Sequence, residues 1–413
     1  MKIYKFGGAS VRDASGVRNL LKIVASESDN LVVVVSAMGK TTNALERVVN
    51  AIWQGDAPAA DAEWQTIVAF HRSLADELSI SWDCVSDILS LYDSLPLFDT
   101  AHSFDYDLLY DQVVSLGELM STRLISTFLY RSGVVNTWLD MPHLLRTDAL
   151  FREARVDMNT SARLIGEAVS RAERVCIAQG FIGGTADGLR TTLGREGSDY
   201  TAAILGNLLE ATSVTIWKDV PGILNADPRL MEQTSKIDCL SYIEAVELAY
   251  SGAQIIHPKT IRPLENKHIP LYVKPFAEHN APGSVICATD KKVDVPVYIW
   301  RKNQILITLR AKDFSFVLEE SLSHIFDIIH AHRLKVSLIQ SSAITISVCV
   351  DNTRYVADAI RALQQDYILT YNEGLSLLTI RGTTPEILEH ESRGRTILLR
   401  QLTRRTARFV VKE

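Results

Sequence analysis

The chain has 413 residues, a formal net charge of −6, 47% hydrophobic residues and 22% charged residues. This length suits two or three domains, and the composition is ordinary for a soluble globular protein. The acidic balance argues against broad binding to nucleic acids or to anionic membranes.

The first part of the chain alternates predicted strands and helices. Strands are predicted at 3–6, 31–35, 134–139, 175–178, 214–217 and 271–273. Apolar residues at helical spacing predict helices over 17–24 and 45–52, and the region from about 56 to 130 is predicted to be mostly helical. This alternation predicts an α/β domain with a largely parallel sheet, in which the β-branched run 31–35 is a strand buried on both faces.

The texture changes near 288–298, where we place the boundary between a domain at 1–290 and a smaller one at 300–413. Beyond the boundary, strands are predicted at 305–309, 336–339, 344–350 and 375–380, and helices at 319–332 and 355–364. This βαββαβ order describes a small split-βαβ module, and residues 396–411 are expected to add two more strands.

The cysteines and histidines give no sign of a metal or disulfide site. The five cysteines are scattered without a CxxC pair, which argues against a disulfide framework or a zinc site and favours a cytoplasmic location. The ten histidines show no metal-ligand spacing, so we expect no metal site built by the protein. Residues 1–8 do not have the pattern of a signal peptide, and no uncharged apolar run reaches the roughly 20 residues that span a bilayer.

The segment KFGGAS, residues 5–10, lies where a predicted strand ends and a helix soon begins. Paired glycines allow backbone N–H groups to approach an anion, and Lys5 would bring a point charge to phosphate oxygens. Taken alone, the segment is better explained as a tight turn with a solvated lysine, because Gly-Gly turns are common.

The segment SAMGKTTN, residues 36–43, also joins a strand to a helix. Its Gly-Lys-Thr end resembles a P-loop, but Val34 stands where the first glycine of that motif is required, which excludes a P-loop. Two interpretations stay equally open here: a hydroxyl-rich turn that binds a small polar ligand, and ordinary N-capping by Thr41 or Thr42.

The most informative segment is GFIGGTADGLRTTLGREGSDYT, residues 180–201. Glycines and hydroxyl residues surround Arg195 and Asp199, and a helix begins at the end of the segment. A purely structural reason for this combination is hard to find, so the segment predicts an anion or phosphate ligand.

Three further features are weaker when each is taken alone. The segment WKDVPGILNADPR, residues 217–229, is a strand-end loop whose proline and glycine fix its path. Glu118 lies beside a glycine inside an apolar helix, and a solvated helix residue is its simplest interpretation. The segment HPKT, residues 257–260, predicts a helix with proline in its first turn.

Together, these segments resemble aspartate kinase (aspartokinase) of the amino acid kinase family. The resemblance rests on residues 5–10, 36–45, 115–121, 180–203, 217–229 and 251–260, whose order and spacing all fit. It covers about residues 1–290 and continues more weakly into the tail. It implies an αβα sandwich with ATP over the C-terminal half of the sheet and aspartate over the N-terminal half, followed by a smaller α+β region like the paired ACT regulatory modules of this family.

The implied reaction converts ATP and L-aspartate into ADP and 4-phospho-L-aspartate, the first step of lysine, threonine, methionine and diaminopimelate synthesis. The substrate carboxylate, with a reference pKa of about 3.9, is ionised at pH 7 and needs no general base. Catalysis then consists of positioning and of electrostatic stabilisation of the transferring phosphoryl group.

The resemblance also implies roles for single residues. The catalytic pair is Lys5, which would place its charge on the moving phosphoryl group, and Asp199, which would orient lysines. Arg195 would hold the α-carboxylate of aspartate and Glu118 its ammonium group, with Ser36, Thr42 and Ser198 completing the pocket. The residues aligned with the nucleotide are Lys5, Gly7, Gly8, Ser10, Gly194, Lys218, Asp219, Leu224, Arg229, Gln254 and Ile255. Mg²⁺ would be held mainly through the ATP phosphates.

The sequence departs from the family pattern at several positions: Ala9 replaces a hydroxyl residue, Glu196 a glycine, Lys218 a frequent threonine, Leu224 a frequent tyrosine and Gln254 a frequent lysine. In the tail, residues 319–322 lack the usual glycine, Ser337 stands where an effector-contacting aspartate is common, and the second module looks incomplete. We therefore expect weak or absent inhibition by lysine. The resemblance of the tail to the regulatory modules of the family still leads us to expect a homodimer formed through the C-terminal region.

Other interpretations remain to be separated from this one. A kinase of the same fold could act on glutamate, carbamate or a nucleoside monophosphate, although the Glu118 and Arg195 pair favours an amino-acid zwitterion. A catalytically dead amino-acid sensor is another class, against which the retention of Lys5 and Asp199 argues. A fusion to homoserine dehydrogenase would need a further dinucleotide-binding domain, for which we find no residues.

Overall fold

The computed structural model describes residues 1–95, 105–253, 256–312 and 319–412, with only the backbone at 319 and 320. The chain divides into two compact units. The first unit comprises Met1–Ile223, Lys236–Val246 and Ile255–Lys291, and the second comprises Leu224–Ser235, Glu247–Gln254 and Lys292–Glu413. Among the described residues, no helix combines the length and the apolar character needed to cross a membrane.

The strands of the described ranges are short in the first unit and longer in the second. In chain order they are β1 (Lys2–Phe6), β2 (Leu31–Val35), β3 (Asn136–Leu139), β4 (Val175–Gln179), β5 (Ile182–Gly184), β6 (Arg190–Thr192), β7 (Ser213–Lys218), β8 (Ile223–Leu224), β9 (Lys236–Ile237), β10 (Cys239–Ser241), β11 (Leu271–Pro275), β12 (Ser284–Cys287), β13 (Val297–Ala311), β14 (Val336–Ser341), β15 (Thr345–Asp351), β16 (Tyr367–Arg381), β17 (Ile397–Leu402) and β18 (Thr406–Lys412).

The helices fill most of the connections between these strands. In chain order they are α1 (Ala14–Ala25), α2 (Thr41–Trp53), α3 (Ala57–Glu77), α4 (Ser86–Asp93), α5 (Tyr106–Val114), α6 (Leu116–Arg131), α7 (Met141–Leu144), α8 (Met158–Ser170), α9 (Gly197–Leu208), α10 (Tyr242–Ser251), α11 (Pro258–Glu265), α12 (Glu319–Ala331), α13 (Val356–Leu363) and α14 (Pro385–Ser392), with a 3₁₀ turn at Trp82–Val85.

The first unit is built on an eight-stranded sheet with the order β10-β12-β11-β7-β1-β2-β4-β3. Every neighbouring pair is parallel except β11 and β12. All five residues of β2 are buried, as expected of a β-branched strand covered on both faces. The prediction of an α/β unit with a largely parallel sheet is therefore confirmed.

The order of the central strands decides where the loops of the first unit meet. Strands β7, β1, β2 and β4 are adjacent and parallel, so their carboxyl ends lie at one edge of the sheet. The loops that follow these strands begin at residues 219, 7, 36 and 180. In open α/β sheets, ligands bind in the crevice outside the carboxyl ends of the strands, which makes this edge the place to look for a site.

The second unit contains a six-stranded sheet with the order β14-β15-β13-β16-β18-β17. Its neighbouring strands are antiparallel, and one of its clusters of buried residues joins strand residues such as Ile307 and Val348 to Ile329 of α12 and Leu363 of α13. The predicted βαββαβ order is present in β13-α12-β14-β15-α13-β16, and the two expected tail strands are β17 and β18. Helix α14, between β16 and β17, was not predicted.

Candidate active site

A buried carboxylate and two lysines form a cluster at the carboxyl edge of the first unit's sheet. Lys5 of β1 pairs with Val34 of β2 and Ile216 of β7, and its Nζ lies 2.6 Å from Asp199 Oδ1. Lys218, the last residue of β7, places its Nζ 3.8 Å from the other carboxylate oxygen, Oδ2. The cluster thus holds two positive charges around one negative charge, which leaves a net positive centre at this edge.

The Asp199 carboxylate is held ionised although it is buried. Burial acts to raise the pKa of Asp199, but the charges of Lys5 and Lys218 and the hydrogen bond from Lys5 outweigh it, and the pKa lies below its ordinary value. An ionised carboxylate with both oxygens facing lysines orients those lysines and is poorly suited to take a proton. The structure therefore brings together Lys5, Asp199 and Lys218.

The two glycines after β1 have different surroundings. A Cβ at Gly8 would lie 2.5 Å from the carbonyl oxygen of Ala37, so packing alone requires glycine there. A Cβ at Gly7 would contact the Lys5 ammonium at 3.4 Å and no other described atom within 4 Å. Packing therefore accounts for Gly8, whereas Gly7 leaves space directly beside the Lys5 charge.

The loop before α9 is shaped by left-handed backbone and by close packing. Gly194 has φ +74° and Glu196 has φ +54°, and α9 begins at the next residue, so Ser198 and Asp199 lie in its first turn. A Cβ at Gly180, which follows β4, would lie 2.5 Å from the Cβ of Ser198. This contact fixes the first turn of α9 against the end of β4. Arg195 is exposed on the same loop.

Glu118 lies in the first turn of α6 and is buried, with 2% of the residue exposed. Its Oε1 accepts a hydrogen bond from the Ala37 N–H at 3.1 Å, whereas its Oε2 is buried without a partner among the described residues. Burial raises the pKa of Glu118 to about 8, against the opposing effects of the Ala37 N–H and the Lys5 charge. The interpretation of Glu118 as a solvated helix residue is therefore wrong.

The turn between β2 and α2 connects Glu118 with the loop after β1. The Gly39 N–H donates to the Gly8 carbonyl at 3.0 Å, and Ala37 contacts both Gly8 and Glu118. The interpretation of Thr41 or Thr42 as an N-cap is wrong, because Lys40 holds the cap position of α2 and no side chain caps the helix. Ser36 and Thr42 are half-buried in this turn, and Ser10 is buried in the neighbouring one.

The remaining nucleotide-aligned residues lie in separate parts of the chain. Asp219 is exposed directly after β7. Leu224 and Arg229 belong to the second unit, where Arg229 forms an ion pair with Asp227 at 2.6 Å. Gln254 and Ile255 lie outside the described residues. The predicted start of a helix at His257-Pro258 is confirmed, because α11 begins at Pro258 and His257 Nδ1 accepts a hydrogen bond from the Lys259 N–H.

Sequence reasoning missed Asp111, a fully buried acid of α5. Its carboxylate binds Thr192, three residues before Arg195, through both the backbone N–H and the hydroxyl group. The available signal was an acid seven residues before Glu118, a spacing of about two helical turns within an apolar stretch.

Comparisons with known proteins show the family to which the chain is similar. The sequence model of the amino acid kinase family matches residues 1–275. Lysine-sensitive aspartokinase 3 of Escherichia coli (strain K12) is 32% identical over 394 residues, which cover 92% of this chain and 86% of that protein. A chloroplastic bifunctional aspartokinase/homoserine dehydrogenase 2 of Arabidopsis thaliana is 30% identical over 84% of this chain, but the match spans only 39% of that protein.

Among solved structures, the crystal structure of E. coli aspartokinase III in complex with aspartate and ADP, in the R-state, aligns with a TM-score of 0.81 at 28% identity. The alignment covers 100% of this chain and 96% of that chain. The chain therefore belongs to the amino acid kinase family and, within that family, to the aspartokinases.

Proposed function

We propose that the protein transfers the γ-phosphoryl group of ATP to the side-chain carboxylate of L-aspartate. A carboxylate oxygen attacks the γ-phosphorus, the bond between that phosphorus and the β,γ-bridging oxygen breaks, and ADP leaves with the bonding electrons. No proton has to move, because the attacking carboxylate is already ionised at pH 7. The observation that carries this proposal is the cluster of Lys5, Asp199 and Lys218 at the carboxyl edge of the sheet.

Lys5 is assigned to the charge of the transferring phosphoryl group. Two anions must approach each other in this reaction, so a fixed cation between them stabilises the transition state more than the separate reactants. Asp199 keeps the Lys5 ammonium in place through the 2.6 Å ion pair, and the open space at Gly7 lies beside that ammonium. Lys218, on the other carboxylate oxygen, supplies a second cation on the nucleotide side.

The glycine loops and the start of α9 are assigned to the phosphates. The backbone N–H groups of Gly7, Gly8 and Gly194, together with the Ser10 hydroxyl group, are the proposed donors. The N-terminus of α9 adds a favourable partial charge. Asp219, Leu224, Arg229, Gln254 and Ile255 are proposed for the nucleotide from the family resemblance.

The donor set of the described residues fits Mg²⁺ bound through the nucleotide. No group of three or more His, Cys, Asp or Glu residues in the described ranges could hold a metal ion, and both oxygens of Asp199 already face lysines. Mg²⁺ carried by the ATP phosphates would neutralise part of their charge. The lysine cluster would then act on the charge that remains.

The amino-acid end of the substrate is assigned to Glu118 and Arg195. Glu118 has one buried carboxylate oxygen without a hydrogen-bond partner among the described residues, and an ammonium group is a donor that would satisfy such an oxygen. Arg195 is exposed on the loop before α9 and would pair with the α-carboxylate. Ser36, Thr42 and Ser198 are proposed to complete the pocket.

The direct test is a hydroxamate assay, which traps acyl phosphates, with Mg-ATP and L-aspartate, L-glutamate or UMP as acceptor. Release of ADP is measured in parallel, since UMP gives no acyl phosphate. We expect aspartate-dependent hydroxamate and ADP, and much lower turnover with the other two acceptors. ADP release that depends on glutamate or UMP instead would assign the site to another reaction of the same fold, and no turnover with any acceptor would favour a sensor.

Lys5→Ala tests the central assignment. Loss of one charge contact made in the transition state is expected to lower kcat on the order of 10²-fold or more. Lys267→Ala, which removes an exposed lysine paired with Glu210, is the matched control and should retain normal turnover. Near-normal formation of aspartyl phosphate by a folded Lys5→Ala variant would refute the role of Lys5.

The region 300–413, which is part of the second unit, is proposed to be a regulatory and dimerisation region. Support for a homodimer comes from β14, an edge strand of its sheet, and from exposed apolar residues Ile339 and Ile344 in and beside that strand. Sedimentation of the full chain tests the homodimer. A cytoplasmic location, and a place at the start of lysine, threonine and methionine synthesis, belong to the same proposal.

A further inference from the structure

Asp111 of α5 binds two separate chain segments through one fully buried carboxylate. Its Oδ2 accepts hydrogen bonds from the backbone N–H groups of Thr192, at 2.8 Å, and Arg152, at 3.0 Å. Its Oδ1 accepts from the Thr192 hydroxyl group at 2.7 Å. Three donors point at this side chain, so a carboxylate, which only accepts, satisfies all of them.

These two segments enclose the loop that carries Arg195. Thr192 is the last residue of β6, and the Leu193 N–H donates to the Phe181 carbonyl at 2.9 Å. Gly194 follows with φ +74°, and a Cβ there would lie 3.1 Å from the Arg152 carbonyl oxygen. The loop is therefore fixed at Thr192, which precedes it, and lies close to Arg152 at Gly194. Asp111 binds both Thr192 and Arg152.

The segment that carries Asp111 also leads to Glu118. Helix α5 ends at Val114, and α6 begins at Leu116 with Glu118 in its first turn. Further hydrogen bonds strengthen the contact between this segment and β6: Arg190 Nε donates to Ser115 Oγ at 2.8 Å, and Gln112 Nε2 donates to the Arg190 carbonyl at 2.8 Å. Residues 111–118 thus form hydrogen bonds to β6 and also include Glu118.

We infer that Asp111 is a positioning residue for the recognition of aspartate, because it fixes the loop of Arg195 relative to Glu118. This inference rests on the proposed function, in which Glu118 binds the ammonium group and Arg195 the α-carboxylate of one small zwitterion. The two charges of such a ligand are a fixed distance apart. A small displacement of the Arg195 loop then weakens the hold on aspartate and leaves the lysine cluster in place.

The test is the near-isosteric variant Asp111→Asn, assayed in the full chain. The amide offers one acceptor oxygen and turns a donor toward an N–H group, so at least one of the three bonds is lost. We expect KM for aspartate to rise on the order of tenfold, with KM for ATP within about twofold of the wild-type value. The preference for aspartate over glutamate is also expected to fall.

Asp107→Asn is the matched control, because Asp107 lies one turn earlier on α5 and is half-exposed in an ion pair with the Arg152 side chain at 3.1 Å. It should leave both KM values unchanged. A fall in kcat or thermal stability of Asp111→Asn without a selective change in KM for aspartate would show a purely structural role and would overturn the inference.

A second pair of variants keeps the inference testable if Asp111→Asn does not fold. Thr192→Val removes the hydrogen bond from the hydroxyl group to Asp111 at similar side-chain volume, and it should raise KM for aspartate several-fold. Thr192→Ser keeps the hydroxyl group and should have a KM for aspartate close to the wild-type value. Equal KM values for the two Thr192 variants would contradict the inference. Failure of the proposed function would appear separately, as absence of aspartate-dependent turnover in the wild-type protein.

Discussion

At the scale of single residues, Glu118 is a buried acid that can become charged when a ligand binds. Desolvation disfavours the ionised form, and one N–H donor from Ala37 is not enough to offset it, so the pKa of Glu118 is raised to about 8. In the ligand-free protein near pH 7, Glu118 is therefore mostly protonated. An arriving ammonium group would favour the ionised form and expel that proton.

The first prediction follows from this linkage. Aspartate binding near pH 7 should release close to one proton, and the apparent affinity should rise about fivefold or more from pH 7 to 8.5 as Glu118 ionises. Calorimetry in two buffers with different heats of ionisation measures the released proton. Glu118→Gln should release none, and Glu167→Gln, which changes an exposed acid paired with Arg163, should behave as the wild type. Binding without proton release in the wild type would contradict the assignment.

The raised pKa of Glu118 also makes the stability of the folded protein fall as pH rises. Between the ordinary pKa of a glutamate and about 8, the folded protein binds more protons at this position than the unfolded chain does. The contribution of Glu118 to stability is therefore full below that window and is lost as pH rises through it. A strongly raised carboxyl pKa at a buried position is common in functional sites.

At the scale of elements, the loop after β1 contains two neighbouring glycines whose side-chain space is limited by different neighbours. Gly8 packs against the Ala37 carbonyl group, and Gly7 borders the Lys5 ammonium. A sequence motif of paired glycines does not separate these two surroundings, because both positions carry the same residue type.

The second prediction uses this difference. Gly8→Ala places a methyl group 2.5 Å from the Ala37 carbonyl oxygen, so the loop must shift, and we expect a loss of about 1–3 kcal/mol of stability. Gly7→Ala should keep the wild-type melting temperature and should raise KM for ATP, since its methyl group enters the space beside Lys5. Thermal unfolding and steady-state kinetics of the two variants measure this. Equal melting temperatures, or normal kinetics of Gly7→Ala, would contradict it.

The third prediction concerns helix α3, which buries His71 completely. His71 Nδ1 donates to the Ile67 carbonyl at 2.8 Å, Nε2 has no partner in the described ranges, and burial lowers the pKa of His71 to about 4. In the unfolded chain His71 is protonated below about pH 6.5, whereas in the folded protein it stays neutral down to about pH 4. The folded protein therefore loses stability as pH falls from 6.5 to 4.

His71→Leu removes this proton uptake. Between pH 6.5 and 4 it should lose up to about 3 kcal/mol less stability than the wild type, and thermal midpoints across that range provide the measurement. His143→Leu, at an exposed histidine, should follow the wild type. Parallel pH profiles of His71→Leu and the wild type would contradict this account.

Elements with strong periodicity could be predicted from the sequence, and short or interrupted ones could not. The run 31–35 and the helix faces of α1 and α2 are clear because their apolar spacing matches one period. The region 56–130 was predicted only as mostly helical, and the boundary between α5 and α6 at Ser115 was not predicted. Helix α14 was missed because Ile387 and Leu388 are its only aliphatic residues, too few to show helical spacing. Strands β5 and β6 were missed because they have three residues each.

At the scale of the whole molecule, the sequence indicated the candidate site better than the reasons for its geometry. Lys5, Glu118 and Asp199 were found from motifs, since charged residues beside glycines are visible in a single chain. The geometry of the site depends on contacts between residues far apart in the sequence: Ala37 donates to the buried Glu118, and Thr192 donates to Asp111. Contacts at such separations depend on the order of the strands, which a single sequence does not reveal.

The fourth prediction concerns regulation through the second unit. Arg301 of β13 donates from Nη1 to Ser337 Oγ at 2.8 Å, from Nε to the Ser251 carbonyl at 3.0 Å and from Nη2 to the Tyr250 carbonyl at 2.6 Å. A guanidinium group therefore faces Ser337, the position where the family resemblance leads us to expect an effector-contacting aspartate. Lysine carries an ammonium group on its side chain, and that group would meet a positive charge here instead of a carboxylate.

We therefore expect L-lysine to leave the aspartate-dependent activity of the full chain nearly unchanged, even in large excess over the enzyme. The hydroxamate assay with and without L-lysine measures the effect, and L-threonine serves as the comparison amino acid because its side chain carries no charge. Saturable binding of L-lysine to the full chain in a calorimetric titration, accompanied by inhibition, would contradict the prediction. It would show that an acid other than one at position 337 recognises the side-chain ammonium group.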